Sequence, residues 1–295
     1  MEKMTTVGSG KYTYELIQDW PHLPAGEALG VVSSVATDSQ DRVYAFQRQD
    51  PPVMVFDRDG KYLNRWGIGA ITDPHGINIV DDVVYITDRS DQVAVKFTLD
   101  GKPLQVIGER GVFSDTGCEK PGDLVPRAAG PFNYCTEMST SPSGDIYVSD
   151  GYRNARVHRF TSDGRLIQSW GQPGKEAPGH FHLVHSLLVD PEGKVYVCDR
   201  ANRRVQIFSP EGEFITMWTG MGGPDNIVRD RDGIFYIAEQ ADESGDSHVS
   251  IWDGNGKVLE RWPIRHAHGL CVDSRGNIYL GLTLEHSVDK YVRKG

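Results

Sequence analysis

The sequence has no run of about 20 apolar residues that would cross a bilayer as a helix. It has no CxxC pair either: Cys118, Cys135, Cys198 and Cys271 are far apart, and two of them fall within apolar strand patterns. Reduced thiols are the expectation, with a Cys118 to Cys135 bridge across the intervening loop as the alternative that spacing leaves open. The first residues, MEKMTTVGSGKYTYELIQDW, lack the charged start and apolar stretch of a secretory signal, which predicts a cytoplasmic protein. Positive charge is scarce: 31 Lys and Arg stand against 41 Asp and Glu, and the formal net charge is -10. The basic residues are scattered among acids, so neither nucleic acid nor a membrane is the expected partner. A small molecule is, and the oligomeric state is left open.

What is abundant is turn chemistry and tyrosine, with 33 glycines, 16 prolines and 12 tyrosines. Many short strands joined by tight turns follow from that composition. The strands repeat six times. A tyrosine follows a β-branched or apolar residue at Val43-Tyr44, Val84-Tyr85, Ile146-Tyr147, Val195-Tyr196, Phe235-Tyr236 and Ile278-Tyr279. A later strand ends on an aromatic (Phe56, Phe97, Phe160, Phe208, Trp252, Tyr291), mostly just before an Asp-Gly or Glu-Gly turn. A further strand usually closes on tryptophan, at Trp66, Trp170, Trp218 and Trp262, with Ile107 in that place in the second unit.

The sixth unit stops at Gly295 without this last strand, and the segment from Lys11 to Trp20 has the missing pattern. The expectation is an all-β, six-bladed β-propeller, a single domain over 1-295, closed by the N-terminal strand pairing with the last blade. A solenoid would need capping repeats, whereas here one terminus completes the other. The units run approximately 33-67, 73-108, 132-171, 181-220, 222-262 and 265-295.

Counting back from each blade tyrosine to the residue opening the innermost strand gives Ser33, His75, Thr136, His185, Asp225 and His268. Histidine occupies alternate blades, each time as His-x-apolar-x-apolar. In a propeller the innermost strands surround a central channel, so His75, His185 and His268 stand at the corners of a triangle and can converge on one divalent ion. Three imidazoles suit Zn²⁺ and leave a coordination position open. Imidazole also suits Fe, Cu and Ni, so metal identity stays open.

Antiparallel pairing brings the residues just after the blade tyrosines to the same channel mouth. Asp88, Asp150 and Asp199 recur there, as turn-stabilising or supporting groups would. Arg48, Tyr152 and Arg200 interrupt the repeat, which marks them as functional candidates, and His266 lies two residues before His268. Insertions at about 109-131 and 172-182 enter the same face as candidate walls or lids.

The segments Asp199-Arg-Ala-Asn-Arg-Arg-Val-Gln-Ile-Phe208 and Asp150-Gly-Tyr-Arg-Asn-Ala-Arg-Val-His-Arg-Phe160 resemble NHL repeats. Over roughly 30-290 the chain resembles the peptidyl-α-hydroxyglycine α-amidating lyases, most specifically at Pro74-His75-Gly76, Tyr147-Val-Ser-Asp-Gly-Tyr152, Val184-His185-Ser186-Leu187 and His266-Ala-His268. The resemblance implies zinc at His75, His185 and His268, a catalytic tyrosine at Tyr152 and active-site arginines at Arg48 and Arg200. Gly269 stands where the lyases have a calcium-ligating aspartate, which argues against a structural Ca²⁺. Arg153 replaces a disulfide cysteine, which argues against an oxidising compartment and the same peptide substrate.

The implied reaction is collapse of a small N-acyl α-hydroxyglycine-like carbinolamide to an amide and an aldehyde such as glyoxylate. Tyr152 would act as base, with Arg48 as a neighbouring cation, while Arg200 and His266 border the substrate. A metal-dependent hydrolase or lactonase, and a non-enzymatic NHL module that binds a protein, remain alternatives.

Overall fold

The computed structural model describes residues 5-295 and bears out the propeller. Five blades are four-stranded antiparallel sheets in simple up-and-down order. In the last, strands Ala267–Val272, Ile278–Leu282 and Ser287–Arg293 are completed by Tyr14–Ile17, which pairs antiparallel with Ser287–Arg293, and by Thr6–Val7 outside it. Among the described residues, helix is limited to the single turns Gly10–Tyr12 and Arg200–Asn202. Among those residues, no helix is long and apolar enough to cross a membrane. All four cysteines are free thiols, so Cys118 and Cys135 are not bridged.

The repeated residues explain the blades. At the turn leaving an inner strand, Asp38, Asp190, Asp230 and Asp273 each accept two backbone N–H bonds through Oδ1. Their Oδ2 atoms accept the phenol protons of Tyr44, Tyr196, Tyr236 and Tyr279 at 3.0–3.2 Å. The tyrosine can therefore bury its ring between blades without stranding a hydroxyl. Between blades, the outer-strand tryptophan packs on the turn glycine of the next blade: Trp66 on Gly101, Trp170 on Gly212 and Trp218 on Gly256. A Cβ at these positive-φ glycines would lie 2.3–2.8 Å from the indole, so the turn needs glycine for both conformation and space.

The six inner strands, Val32–Thr37, Pro74–Val80, Cys135–Thr140, Val184–Val189, Pro224–Arg229 and Ala267–Val272, pack against one another in a closed ring. Each carries a register break one residue after its first paired position. Ser33, Thr136, His185, Asp225 and His268 are the unpaired residues, and in the second blade His75 and Gly76 share that place. A bulge re-aims the side chain it carries. Here Ser33, His75, His185, Asp225 and His268 line one small space on the axis.

Candidate active site

The three histidines meet on the axis. Their ring centroids are 4.5–4.9 Å apart, and one nitrogen from each lies within 4.8 Å of those of the other two. The Nδ1 atoms of His75, His185 and His268 lie 2.6, 2.6 and 2.7 Å from the backbone oxygens of Thr136, Asp225 and Ser33. A carbonyl can only accept, so each Nδ1 carries the proton and each Nε2 presents a lone pair. Burial, reinforced by the surrounding imidazoles and arginines, drives all three histidines well below their ordinary value, keeping them neutral. His75 Nε2 is buried with no hydrogen-bond partner. Three neutral imidazoles, oriented by carbonyls behind them and converging through unprotonated nitrogens, fit a divalent ion with room for a further ligand.

Tyr152 stands over this cradle, its hydroxyl 3.0 Å from His185 Nε2 and 3.5 Å from His268 Nε2. Its placement depends on Gly151. A Cβ there would fall 1.9 Å from the Val184 carbonyl oxygen, so only glycine lets this strand end press against the start of the next blade. The 109-131 insertion holds the same segment from outside. Gly122 N–H donates to Tyr152 O at 2.6 Å, Thr116 Oγ1 donates to Arg153 O at 2.6 Å, and Asn154 exchanges bonds with Ala129. The second insertion joins it where His182 Nε2 meets Gly122 O at 3.1 Å.

Arg200, rather than Arg48, is the cation in contact with the phenol. Its Nη1 is 3.4 Å from Tyr152 Oη and 2.9 Å from Asp225 Oδ1, and its guanidinium carbon is 5.2 Å from the ring centroid. Arg48 donates through Nε to Pro74 O at 3.2 Å and lies 3.7 Å from Asp73. It remains close enough that its charge helps depress His75 and His268. His266 is half-buried near Arg200 and is held below its ordinary value by burial and by that charge.

Several groups at the site were not legible as such. Asp225 counts in the repeat as merely a channel residue, yet it anchors Arg200; burial pushes its carboxyl up to about 7, against the lowering pull of Arg200. Arg89 also lies against the Tyr152 ring, its guanidinium carbon 5.0 Å from the centroid. Below the histidines, a second layer reads Ser34, Gly76, Glu137, Ser186, Asn226 and Gly269. Glu137 is buried there with only Asn226 Nδ2 and Met138 N as donors, and burial pushes it up to about 8. The signal was present: the residue after the channel position is small or polar in all six units. At Gly269 a Cβ would lie 2.4 Å from Ser34 Cα, leaving no space for a side chain.

The recurring aspartates have a structural task. Asp88, Asp150 and Asp199 accept backbone N–H bonds from Thr72 and Asp73, Asn133, and His182, tying down the loop that enters each inner strand. Gln47 and Glu239 do the same for Gly30 and Gly222. A cavity of about 640 Å³ forms a funnel on the opposite face, and its lining includes Glu137, Ser186 and Asn226.

No family model matches the chain. It is 31% identical over 247 residues to NHL repeat-containing protein 3 of Homo sapiens, covering 78% of this chain and 67% of that protein. It is 27% identical over 296 residues to the probable peptidyl-alpha-hydroxyglycine alpha-amidating lyase pgal-1 of Caenorhabditis elegans, covering 85% and 79%. It is 29% identical over 322 residues to peptidyl-glycine alpha-amidating monooxygenase B of Xenopus laevis, spanning 92% of this chain but 35% of that protein's length. Among solved structures, a streptogramin B lyase superposes with a TM-score of 0.66 at 11% identity over 95% of this chain and 98% of that one. A gluconolactonase from Xanthomonas campestris superposes with a TM-score of 0.65 at 13% identity over 96% and 91%. These two establish likeness of fold alone. The blade pattern seen in the structure and the match to the human protein over two thirds of its length agree: the chain belongs to the NHL repeat-containing proteins and is a homologue of the amidating lyases.

Proposed function

We propose that the protein is a metal-dependent lyase, zinc being its resident ion, that cleaves the C–N bond of a small N-acyl α-hydroxyglycine-like carbinolamide to an amide and glyoxylate. The observation that carries this reading is the Tyr152 hydroxyl, held between two imidazole nitrogens of the cradle and beside Arg200. Homology to the amidating lyases supports it. An ion held by His75, His185 and His268 would supply Lewis acidity, making a substrate hydroxyl easier to deprotonate.

The chain's own groups account for the proton traffic. A phenol that takes a proton is favoured by adjacent positive charge. Arg200 provides it by a direct contact, and the buried Asp225 fixes the guanidinium in place. Tyr152 takes the hydroxyl proton as the carbon–oxygen bond becomes a carbonyl. The carbon–nitrogen bond breaks, its electron pair goes to the amide nitrogen, and Tyr152 returns the proton there. No electrons are gained or lost overall. Arg48 meets the substrate carboxylate, and Arg200 and His266 border the substrate.

The test is to mix the zinc-loaded protein with N-butyryl-α-hydroxyglycine and follow glyoxylate. Release well above the spontaneous rate is expected. No acceleration with zinc, iron or cobalt would end the lyase reading, and ester or lactone opening that survives Tyr152→Phe would assign the cradle to hydrolysis instead.

A further inference from the structure

The wall beside Tyr152 carries more positive charge than its contacts neutralise, in a chain whose formal net charge is -10. Arg89 lies between two aromatic rings, 5.0 Å from the Tyr152 centroid and 5.5 Å from that of Tyr134. Arg153 lies 5.4 Å from the Tyr134 centroid, so one ring carries two guanidiniums. Together with Arg48, three cations line this wall. Among the described residues the carboxylate they share is Asp73, 2.9 Å from Arg89 Nε and 3.7 Å from Arg48 Nε. Arg153 makes no ion pair among the described residues; its Nη2 donates to the neutral Cys118 carbonyl at 2.5 Å, and its buried Nε has no partner.

The nearby acids are committed elsewhere. Asp88 holds the Thr72 and Asp73 amides, Asp150 is enclosed by Asn133, Asn154 and His158, and Asp91 pairs with Arg110. Of the three guanidiniums, Arg89 and Arg48 meet Asp73, and Arg153 meets no carboxylate among the described residues. The carboxylate of an α-hydroxyglycine answers Arg48. Arg153 is left without an anion. Arg200, across the cradle, already has Asp225 at 2.9 Å.

We propose that Arg89 and Arg153, arrayed on Tyr134, form a second anion subsite, and that the preferred substrate has an acyl chain ending in a carboxylate. Aromatic faces hold both guanidiniums in place, and Arg153 has no carboxylate partner among the described residues, which suits capture of a flexible acid by charge-assisted hydrogen bonds. Identifying this anion as part of the acyl half rests on the lyase reading above; the subsite itself does not.

Two acyl chains of equal length separate the cases. With the zinc-loaded full chain, N-succinyl-α-hydroxyglycine should exceed N-butyryl-α-hydroxyglycine in kcat/KM by about tenfold or more, chiefly through KM. Arg153→Gln should bring that ratio close to one, and Arg153→Lys, which keeps the charge, should retain part of it. A ratio near one in the unaltered protein, with both compounds turned over, would overturn the subsite and leave the lyase reading standing. If neither compound is turned over, calorimetric titration decides: glutarate should bind about tenfold more tightly than butyrate and lose that advantage in Arg153→Gln. Equal binding of the two acids, or an advantage untouched by the substitution, would remove the proposal.

Discussion

Tyr152 and His185 touch each other, yet the two should fail differently when altered. The phenol oxygen is the group placed to move a proton, whereas the imidazole is one of three donors whose carbonyl-fixed Nδ1 leaves Nε2 free for an ion. Tyr152→Phe removes one hydroxyl from a half-buried ring and leaves the cradle intact. It should lower kcat for glyoxylate release by about 10²–10⁴, the usual worth of general acid–base catalysis, with KM little changed and metal content unaltered. His185→Ala should instead lose the stoichiometric metal, read by elemental analysis of the purified protein, because two imidazoles are too few for the site. The histidines could be found in the sequence because they recur in register on alternate units. Arg200 could be found because it breaks the repeat, but its pairing with Asp225 could not, since the two lie on adjacent blades and meet only where those blades pack.

The strands show which features a linear pattern can carry. Blade number, the N-terminal closing strand and the blade limits follow from tyrosine, tryptophan and Asp-Gly positions, each of which has a contact reason visible in the structure: a buried phenol on a turn aspartate, an indole on a turn glycine. The six bulges leave no such mark, because a residue skipped in pairing looks the same in sequence as one that is paired. Gln47 and Glu239 likewise escaped the aspartate repeat, since a longer side chain performs the same loop-holding task. The closing strand makes its own prediction. Tyr14–Ile17 covers the edge of Ser287–Arg293, and Trp20 packs against Phe56 and Tyr279 at 5.9 and 5.0 Å. Deleting residues 1-20 would expose that edge and a core aromatic cluster together, so the shortened chain should melt at a lower temperature and self-associate, checked by thermal unfolding and light scattering.

Across the whole molecule, the axis runs from the histidine cradle on one face, past Glu137, to the wide funnel on the other. A carboxyl buried in that position without a cation beside it makes the stability of the entire ring sensitive to pH. Burial pushes Glu137 up from its ordinary 4.5 to about 8. Between those values the unfolded chain has released this proton while the folded chain retains it, so folding takes up a proton and the stability it contributes declines as pH rises. The contribution is fully present below about 4.5 and lost as pH passes through about 8. Glu137→Gln keeps the shape and the amide contact to Asn226 but cannot ionise. In metal-free buffer the variant should therefore gain on the parent by about 2 kcal/mol or more between pH 5 and pH 8, measured by urea unfolding of both proteins at each pH. Asp225 shifts in the same direction, but it is common to both chains and drops out of the difference. A gap that stays constant with pH would mean that Glu137 is charged inside the fold, and the channel would then have to contain a compensating cation.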